Sequence, residues 1–529
     1  MKINRLKVPE YKNVSVDLEL RSNLITLLVG QNGMGKSNLL EILLLIFDEL
    51  NQLASGRRPS EEEKKRFDYT LEYECRGHVY KAVKEEGMLT LWEPDSLIGE
   101  EFEMMLAKVP FQALPSQIIG YYSGENKRIR DLVAKHIKRD ESSKRRRYSK
   151  GTIGEFEPKR LFFAENRHSM LVLTTLLLYQ DHQTYGANIK KVLRDVVHIS
   201  SWDSISLRFH NPSFAKMSNL DKQGKTLVNY YNLLMQGEDV SGENIFWQVK
   251  GNVDKLLRLL LNDAIVNYRK YTIRQADRGN GEIFEIESIP DDNEFKTSLF
   301  EAFPSPMDFL NTLEECYVLK MVEKLDVRVH KSDEKKHYQH VHLSEGEQQY
   351  LTVMGLIALS QSGQDETLFL LDEPDTHINP LWQRNYIEQL ESLVQNKRKR
   401  HFFISTHSPL LVQANTPGNP NVDVLLFEKD DDGRVRIDTE EKVIKNWRID
   451  QVLMSKYFDL PSSRPTALDD FMERRRQVVD RSHKLAARYN LSGDTDEFGY
   501  LPTGETMEDV EAMAFIHEMA ERLRKEGHL

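Results

Sequence analysis

"NLITLLVGQNGMGKSNLLEILLLIFDEL", residues 23–50, decides the fold. The opening "NLITLLVG" (23–30) is an apolar run ending in glycine and reads as a buried strand. From Lys36 to about Leu53 the apolar residues take helical spacing. Between them, "GQNGMGKS" (30–37) fits G-x-x-x-x-G-K-[ST] in the strand–loop–helix setting the motif requires. Loop amides and the helix N-terminus supply positive potential for phosphates. Lys36 is expected to reach the β- and γ-phosphates, and Ser37 to ligate Mg²⁺. Asn32, Gly33, Met34, Gly35 and Asn38 are the other expected nucleotide contacts. An ordinary glycine-rich turn leaves the Lys-Ser pair unexplained.

Three further motifs follow. In "HLSEGEQQYLTVMGLIAL" (342–359), Ser344 and Glu347 form Ser-x-x-Glu before an apolar helical run, the spacing of a capping box. "LFLLDEPD" (368–375) ends an apolar strand in Asp372-Glu373. There Asp372 is suited to hold Mg²⁺ and Glu373 to activate a water as general base. By itself such a pair serves equally as a turn or helix cap. "RHFFISTHSP" (400–409) is a third apolar strand, followed by His407.

Taken in order, these motifs resemble the ABC-type ATPase superfamily. The likeness covers about 1–126 and 327–430. "NGMGKSN" and "LSEGEQQ" look closest to its chromosome-maintenance and RecF-like branch, and "DEPDTHINPLWQ" and "STHSPLL" are similar to OLD-family and Septu-type (PtuA-like) antiviral ATPases. The resemblance implies an α/β head, a mixed sheet with helices plus an antiparallel β subdomain. Two such heads would dimerise head-to-tail around two ATP molecules, with Mg²⁺. It places Ser344 and Gly346 on the signature loop that grips the partner's ATP. It places Asp372 and Glu373 on Walker B, Asp375 on the D-loop that crosses the interface, and His407 on the γ-phosphate switch. Lys36, Glu373 and His407 are then the catalytic residues.

Two departures stand out. Glu345 replaces the usual glycine, so its carboxylate must point away from phosphate or be paired. The Q-loop glutamine is not evident; Asn126 is the candidate and Gln117 the alternative, while Tyr11 and Lys12 are candidates to lie near adenine.

A formal charge of −11 over 529 residues argues against a generally basic coat. Two cysteines, Cys75 and Cys316, make neither a disulfide framework nor a metal site of the CxxC kind, which fits a cytoplasmic protein. No apolar run is long enough to span a membrane, and no signal peptide is evident. The head is expected at 1–126 and 326–439, split by a mostly helical insertion at 127–325 and followed by a helical tail at 440–529. Within 65–93, antiparallel strands are expected to turn near Arg76-Gly77 and Glu86-Gly87, and 422–439 reads as a hairpin.

Residues 127–160 hold 13 Lys/Arg against 5 Asp/Glu, centred on Lys144, Arg145, Arg146 and Arg147. This is either a solvated loop or a nucleic-acid contact. The tail either docks a partner or packs within the chain. Asp430-Asp431-Asp432 is either an acidic turn or a nuclease element, and the tail lacks the alternating strands a TOPRIM nuclease needs. The Septu-type likeness implies a separately encoded HNH nuclease as partner. Some relatives also serve retrons, with a reverse transcriptase and its RNA–DNA product. A RecF-like repair ATPase that binds DNA and an OLD-like ATPase-nuclease are the alternatives.

Overall fold

The computed structural model describes residues 1–21, 24–56, 60–92, 104–105, 109–123, 161–165, 168–210, 251–262, 266, 268–275, 279–331, 337–361, 365–413, 421–429, 435–439, 448–455, 457–458 and 460. It divides into two compact units, Met1–Asn446 and Trp447–Leu529. In the second unit the described residues hold one short helix, Ile449–Leu453. No described helix is long and apolar enough to cross a membrane.

The first unit opens with strands β1 (Lys2–Tyr11), β2 (Val14–Glu19) and β3 (Ile25–Gly30), then helix α1 (Lys36–Ala54) and the short α2 (Glu61–Lys64). Strands β4 (Tyr69–Cys75), β5 (His78–Glu85), β6 (Met88–Trp92), β7 (Met104–Met105), β8 (Gln117–Tyr122) and β9 (Leu161–Ala164) follow. Next come α3 (His168–Tyr179), α4 (Gly186–Lys191), β10 (Ile199–His210), α5 (Asn252–Leu260), β11 (Tyr268–Gln275) and β12 (Gly279–Ile286). Then α6 (Asn293–Ala302), α7 (Pro306–Val318), β13 (Val322–Lys331), β14 (His337–Gln339) and α8 (Glu345–Leu359) lead to β15 (Thr367–Asp372). The unit closes with α9 (Pro380–Leu393), β16 (Arg400–Ser405), α10 (Pro409–Gln413), β17 (Val422–Lys429) and β18 (Val435–Thr439).

Among the described residues, one mixed sheet runs β7-β6-β5-β4-β1-β2-β18-β17-β3-β16-β15-β8-β9. The stretch from β17 to β9 is parallel, and β3, β15 and β16 are buried at every position. That is why these strands read as continuous apolar runs: both faces are covered, one of them by α1. Phe369 and Phe402 are paired across β15 and β16 and stack with centroids 4.3 Å apart. The antiparallel end of the sheet has the expected turns: Cys75 pairs with His78 and Glu85 with Met88, leaving Arg76-Gly77 and Glu86-Gly87 as two-residue connections. The 422–439 hairpin forms as β17 and β18.

Within 127–325 the described residues hold the expected helices and add strands to them. The segment's first described strand, β9, extends the main sheet, and β10, β11 and β12 join β13 and β14 in a second, antiparallel sheet ordered β11-β12-β10-β13-β14. The physical reason is visible in β10, "ISSWDSISLRFH", where Ile205, Leu207 and Phe209 alternate into the core and Trp202 precedes them. The helices it does supply are integral. Nearly all of α3 is buried, and it packs between α7 and α8.

Candidate active site

Parallel strands β3, β16 and β15 are neighbours, so the loops leaving their C-terminal ends meet. The first is the loop at 30–37. Gly35 sits at φ +89°, and a Cβ there would lie 2.3 Å from Val14 Cγ2, so a side chain would push the loop off the β1–β2 turn. Asn13 from that turn donates to the Gly33 carbonyl at 3.3 Å and accepts from Asn38 Nδ2 at 2.6 Å. Asn38 is thus committed to holding the loop's shape. Asn32 is exposed and Met34 is buried. The outer side of the loop is open: a Cβ added at Gly33 would meet nothing within 4 Å among the described residues. Amides at the start of α1 and this open outer side fit a phosphate chain.

Lys36 is 4% exposed and donates to the carbonyls of Gly30 at 2.6 Å and Gln31 at 3.1 Å. Burial pulls its ammonium down to about 8, against the opposing pull of Glu373 and Asp372. The Ser37 hydroxyl donates to Asp372 Oδ1 at 3.1 Å, and Ser405 Oγ donates to the same oxygen. Burial raises the Asp372 carboxyl, against these two hydroxyls. Its Oδ2 is buried with no hydrogen-bond partner among the described residues. An unpaired carboxylate oxygen beside a serine hydroxyl is the hard oxygen donor set that suits Mg²⁺.

Glu373 has a left-handed backbone, φ 49°. Its amide donates to the Ser405 carbonyl at 3.1 Å and to Ser405 Oγ at 3.0 Å. Its Oε1 lies 3.3 Å from His407 Nε2, and that hydrogen bond is the main reason its carboxyl titrates below the usual range. Glu373 and His407 are each about one-third exposed, with side chains at 34%. The structure therefore brings Lys36, Ser37, Asp372, Glu373 and His407 together.

The side chain of Asp375 turns inward. It is 3% exposed and accepts from Thr406 Oγ1 at 2.7 Å, under the loop that carries His407. Burial pushes its carboxyl up to about 6. The loop's surface is made by Thr376, His377 and Asn379, which are exposed; Asn379 caps α9 by accepting from the Trp382 amide at 2.9 Å. Gln117 begins β8, opposite Thr367, at the end of the strand remote from Asp372. The end that reaches the site carries Ser123, whose hydroxyl lies 3.2 Å from Thr376 Oγ1. Asn126, Lys144, Arg145, Arg146, Arg147 and Asp430–Asp432 lie outside the described residues. Tyr11 and Lys12 both bind Glu41 of α1, at 2.7 Å and 2.5 Å.

At the start of α8, Ser344 Oγ accepts from the Glu347 amide at 3.2 Å and Glu347 Oε2 accepts from the Ser344 amide at 2.8 Å. The capping box forms as its spacing predicts. Lys331 of β13 binds Glu347 Oε1 at 2.6 Å, tying the second sheet to this cap. Ser344 and Glu345 are exposed, so the extra carboxylate points to solvent. Gly346 is packed tightly: a Cβ there would lie 2.2 Å from the His377 carbonyl oxygen. One turn on, Gln349 Nε2 donates to the Glu373 carbonyl at 3.2 Å.

Asn13, Gln349, Ser405 and Thr406 are absent from the sequence-derived site. Ser405 and Thr406 stood inside "ISTHSP", but nothing in the pattern revealed that β16 lies beside β15.

Comparison with known proteins adds a partial match. Residues 264–413 match the family model described as "AAA domain, putative AbiEii toxin, Type IV TA system". No curated protein matches the chain by sequence. Among solved structures, the "SmcHead bound to the C-winged helix domain of ScpA" aligns with a TM-score of 0.34 and 11% identity, covering 83% of this chain and 98% of that one. In this chain the strand–loop–helix of the phosphate loop and the acidic strand end lie close together on the parallel part of the mixed sheet.

Proposed function

We propose that the chain is a Mg²⁺-dependent ATPase that closes head-to-tail with a second copy around two ATP molecules. The observation that carries this is the convergence of Lys36, Ser37, Asp372, Glu373 and His407 at the ends of three adjacent parallel strands. In this reading the amides of 30–37 and Lys36 bind the phosphates, and Ser37 and Asp372 hold Mg²⁺. The ion neutralises charge on the β- and γ-phosphate oxygens when bound. Glu373 takes the proton of the attacking water, and His407 holds that carboxylate in place from 3.3 Å. Ser344 and the amides at the N-terminus of α8 are proposed to meet the γ-phosphate on the second copy, with Glu345 and Glu347 the carboxylates of that first turn.

The biological setting we propose is antiphage defence, with ATP-dependent closure regulating a separately encoded HNH-type nuclease. The motif likeness to Septu-type ATPases supports it, and so does a partial match to a family named for a toxin–antitoxin system. Nucleic acid, either phage DNA or a retron RNA–DNA product made with a reverse transcriptase, is proposed to meet Lys144 and Arg145–Arg147.

The test of the ATPase is turnover by purified protein with and without Mg²⁺, alongside its mass in solution with ATP and Glu373→Gln. Mg²⁺-dependent turnover that Glu373→Gln strongly slows, with ATP-dependent doubling of mass, is the expected result. Turnover unchanged by that substitution rejects the site. For the setting, copurification with the products of neighbouring genes is expected to recover a nuclease. For nucleic acid, replacing Arg145, Arg146 and Arg147 should lower affinity and reduce the salt slope by about one per lost contact.

A further inference from the structure

Helix α8 faces two ways. Its first residue, Glu345, lies at the surface with Ser344, while Gln349 is 4% exposed and donates to the Glu373 carbonyl at 3.2 Å. Only the NH₂ of an amide can face a carbonyl oxygen, so the orientation of Gln349 is set by its partner. The other end of that amide, Oε1, is buried with no hydrogen-bond partner among the described residues. A buried acceptor left unpaired is costly to hold, which marks the seam between α8 and the Walker B strand as one that can rearrange.

Glu373 needs an external restraint. A non-glycine residue at φ 49° persists only where its surroundings hold it. Three groups do so here. Ser405 binds its amide, Thr376 Oγ1 donates to its carbonyl at 2.9 Å, and Gln349 donates to the same carbonyl. Of the three, Gln349 alone belongs to α8. The same helix also presses Gly346 against the His377 carbonyl, four residues further along the loop.

We infer that Gln349 is a positioning residue that transmits the seat of α8 to the backbone of Glu373. The inference rests on the proposed role of Glu373 as general base. A phosphate held at Ser344 by the second copy then acts on the base of this chain through one helical turn, in addition to the nucleotide it belongs to. Each copy senses its neighbour's nucleotide before its own water is activated.

The test is Gln349→Met, which keeps length and removes the donor, made in the parent and in Glu373→Gln. Turnover, ATP affinity and Tm are measured for each. In the parent background kcat is expected to fall roughly ten- to a hundredfold, the scale of a misplaced catalytic group, with KM and ATP affinity unchanged. In the Glu373→Gln background the residual rate should not fall further, because both substitutions act through one group. Unchanged kcat in an active parent overturns the inference and leaves the role of Glu373 standing. Equal fold-losses in both backgrounds also overturn it, by assigning Gln349 a general structural role. Turnover insensitive to Glu373→Gln overturns both readings. If the Met variant does not fold, Gln349→Asn, which withdraws the amide, takes its place with the same outcomes.

Discussion

His407 Nε2 lies 3.3 Å from Glu373 Oε1, and that carboxylate stands on a backbone held at φ 49°. The strained residue is also the one proposed to accept a proton, so catalysis and stability should part company there. Glu373→Gln is expected to slow turnover by about 10²–10⁴-fold, the usual contribution of a positioned base, while ATP affinity holds. Equilibrium binding of a fluorescent ATP analogue beside steady-state turnover reads both quantities.

Asparagine tolerates the left-handed region, where other residues lose roughly 1–2 kcal/mol. Glu373→Asn should therefore keep or raise Tm while turnover is lost. A Tm several degrees below the parent would show that no strain is stored at this position.

The surface role of α8 is separable from its capping role. Ser344→Arg is expected to leave ATP binding on the same chain intact and to abolish both ATP-dependent dimerisation and turnover. Lys331→Met breaks the tie to Glu347 and the contact of the ammonium with the Tyr338 ring, and should cost about 1 kcal/mol, the upper range for partly exposed ion pairs. Light scattering with ATP distinguishes the two: the first variant stays monomeric and the second does not.

Gly346→Ala is a packing test. The added carbon would meet a backbone carbonyl, which cannot swing aside as a side chain can. We expect a loss of roughly 1–3 kcal/mol, read from the urea midpoint.

Two buried histidines set the acid limit. His401 accepts from the Ile3 amide at Nδ1, so its proton sits on Nε2 toward Thr26. Burial holds it down to about 3, and His340 to about 4, from 6.5. As pH falls through 6.5, the unfolded chain takes up protons that the folded chain refuses. Stability is full above that range. It then declines by up to about 1.4 kcal/mol per pH unit for each histidine. His401→Gln keeps an acceptor and a donor and should flatten the decline by about one proton, as seen in urea midpoints between pH 7 and 5.

Much of this was legible in the chain. The phosphate loop, the cap at Ser344 and the three apolar strands each announce themselves through local pattern. Adjacency between strands does not. Ser405 binds Asp372 only because β16 lies beside β15, a relationship that spans the sheet and leaves no local trace. The inward turn of Asp375 to Thr406 depends in the same way on how the loops after β15 and β16 pack together. The second sheet was obscured because serines and an aspartate interrupt the alternation of β10.

The strand order also governs how the protein is made. β3 lies between β16 and β17, with Ile25 paired to both Phe402 and Val422. A nascent chain that has finished its phosphate loop thus carries a strand with two open edges until the far end of the head leaves the ribosome. Such edges invite pairing with other chains. Synthesis is expected to depend on chaperones for that interval, and a stalled or truncated product should aggregate while the full chain stays in solution.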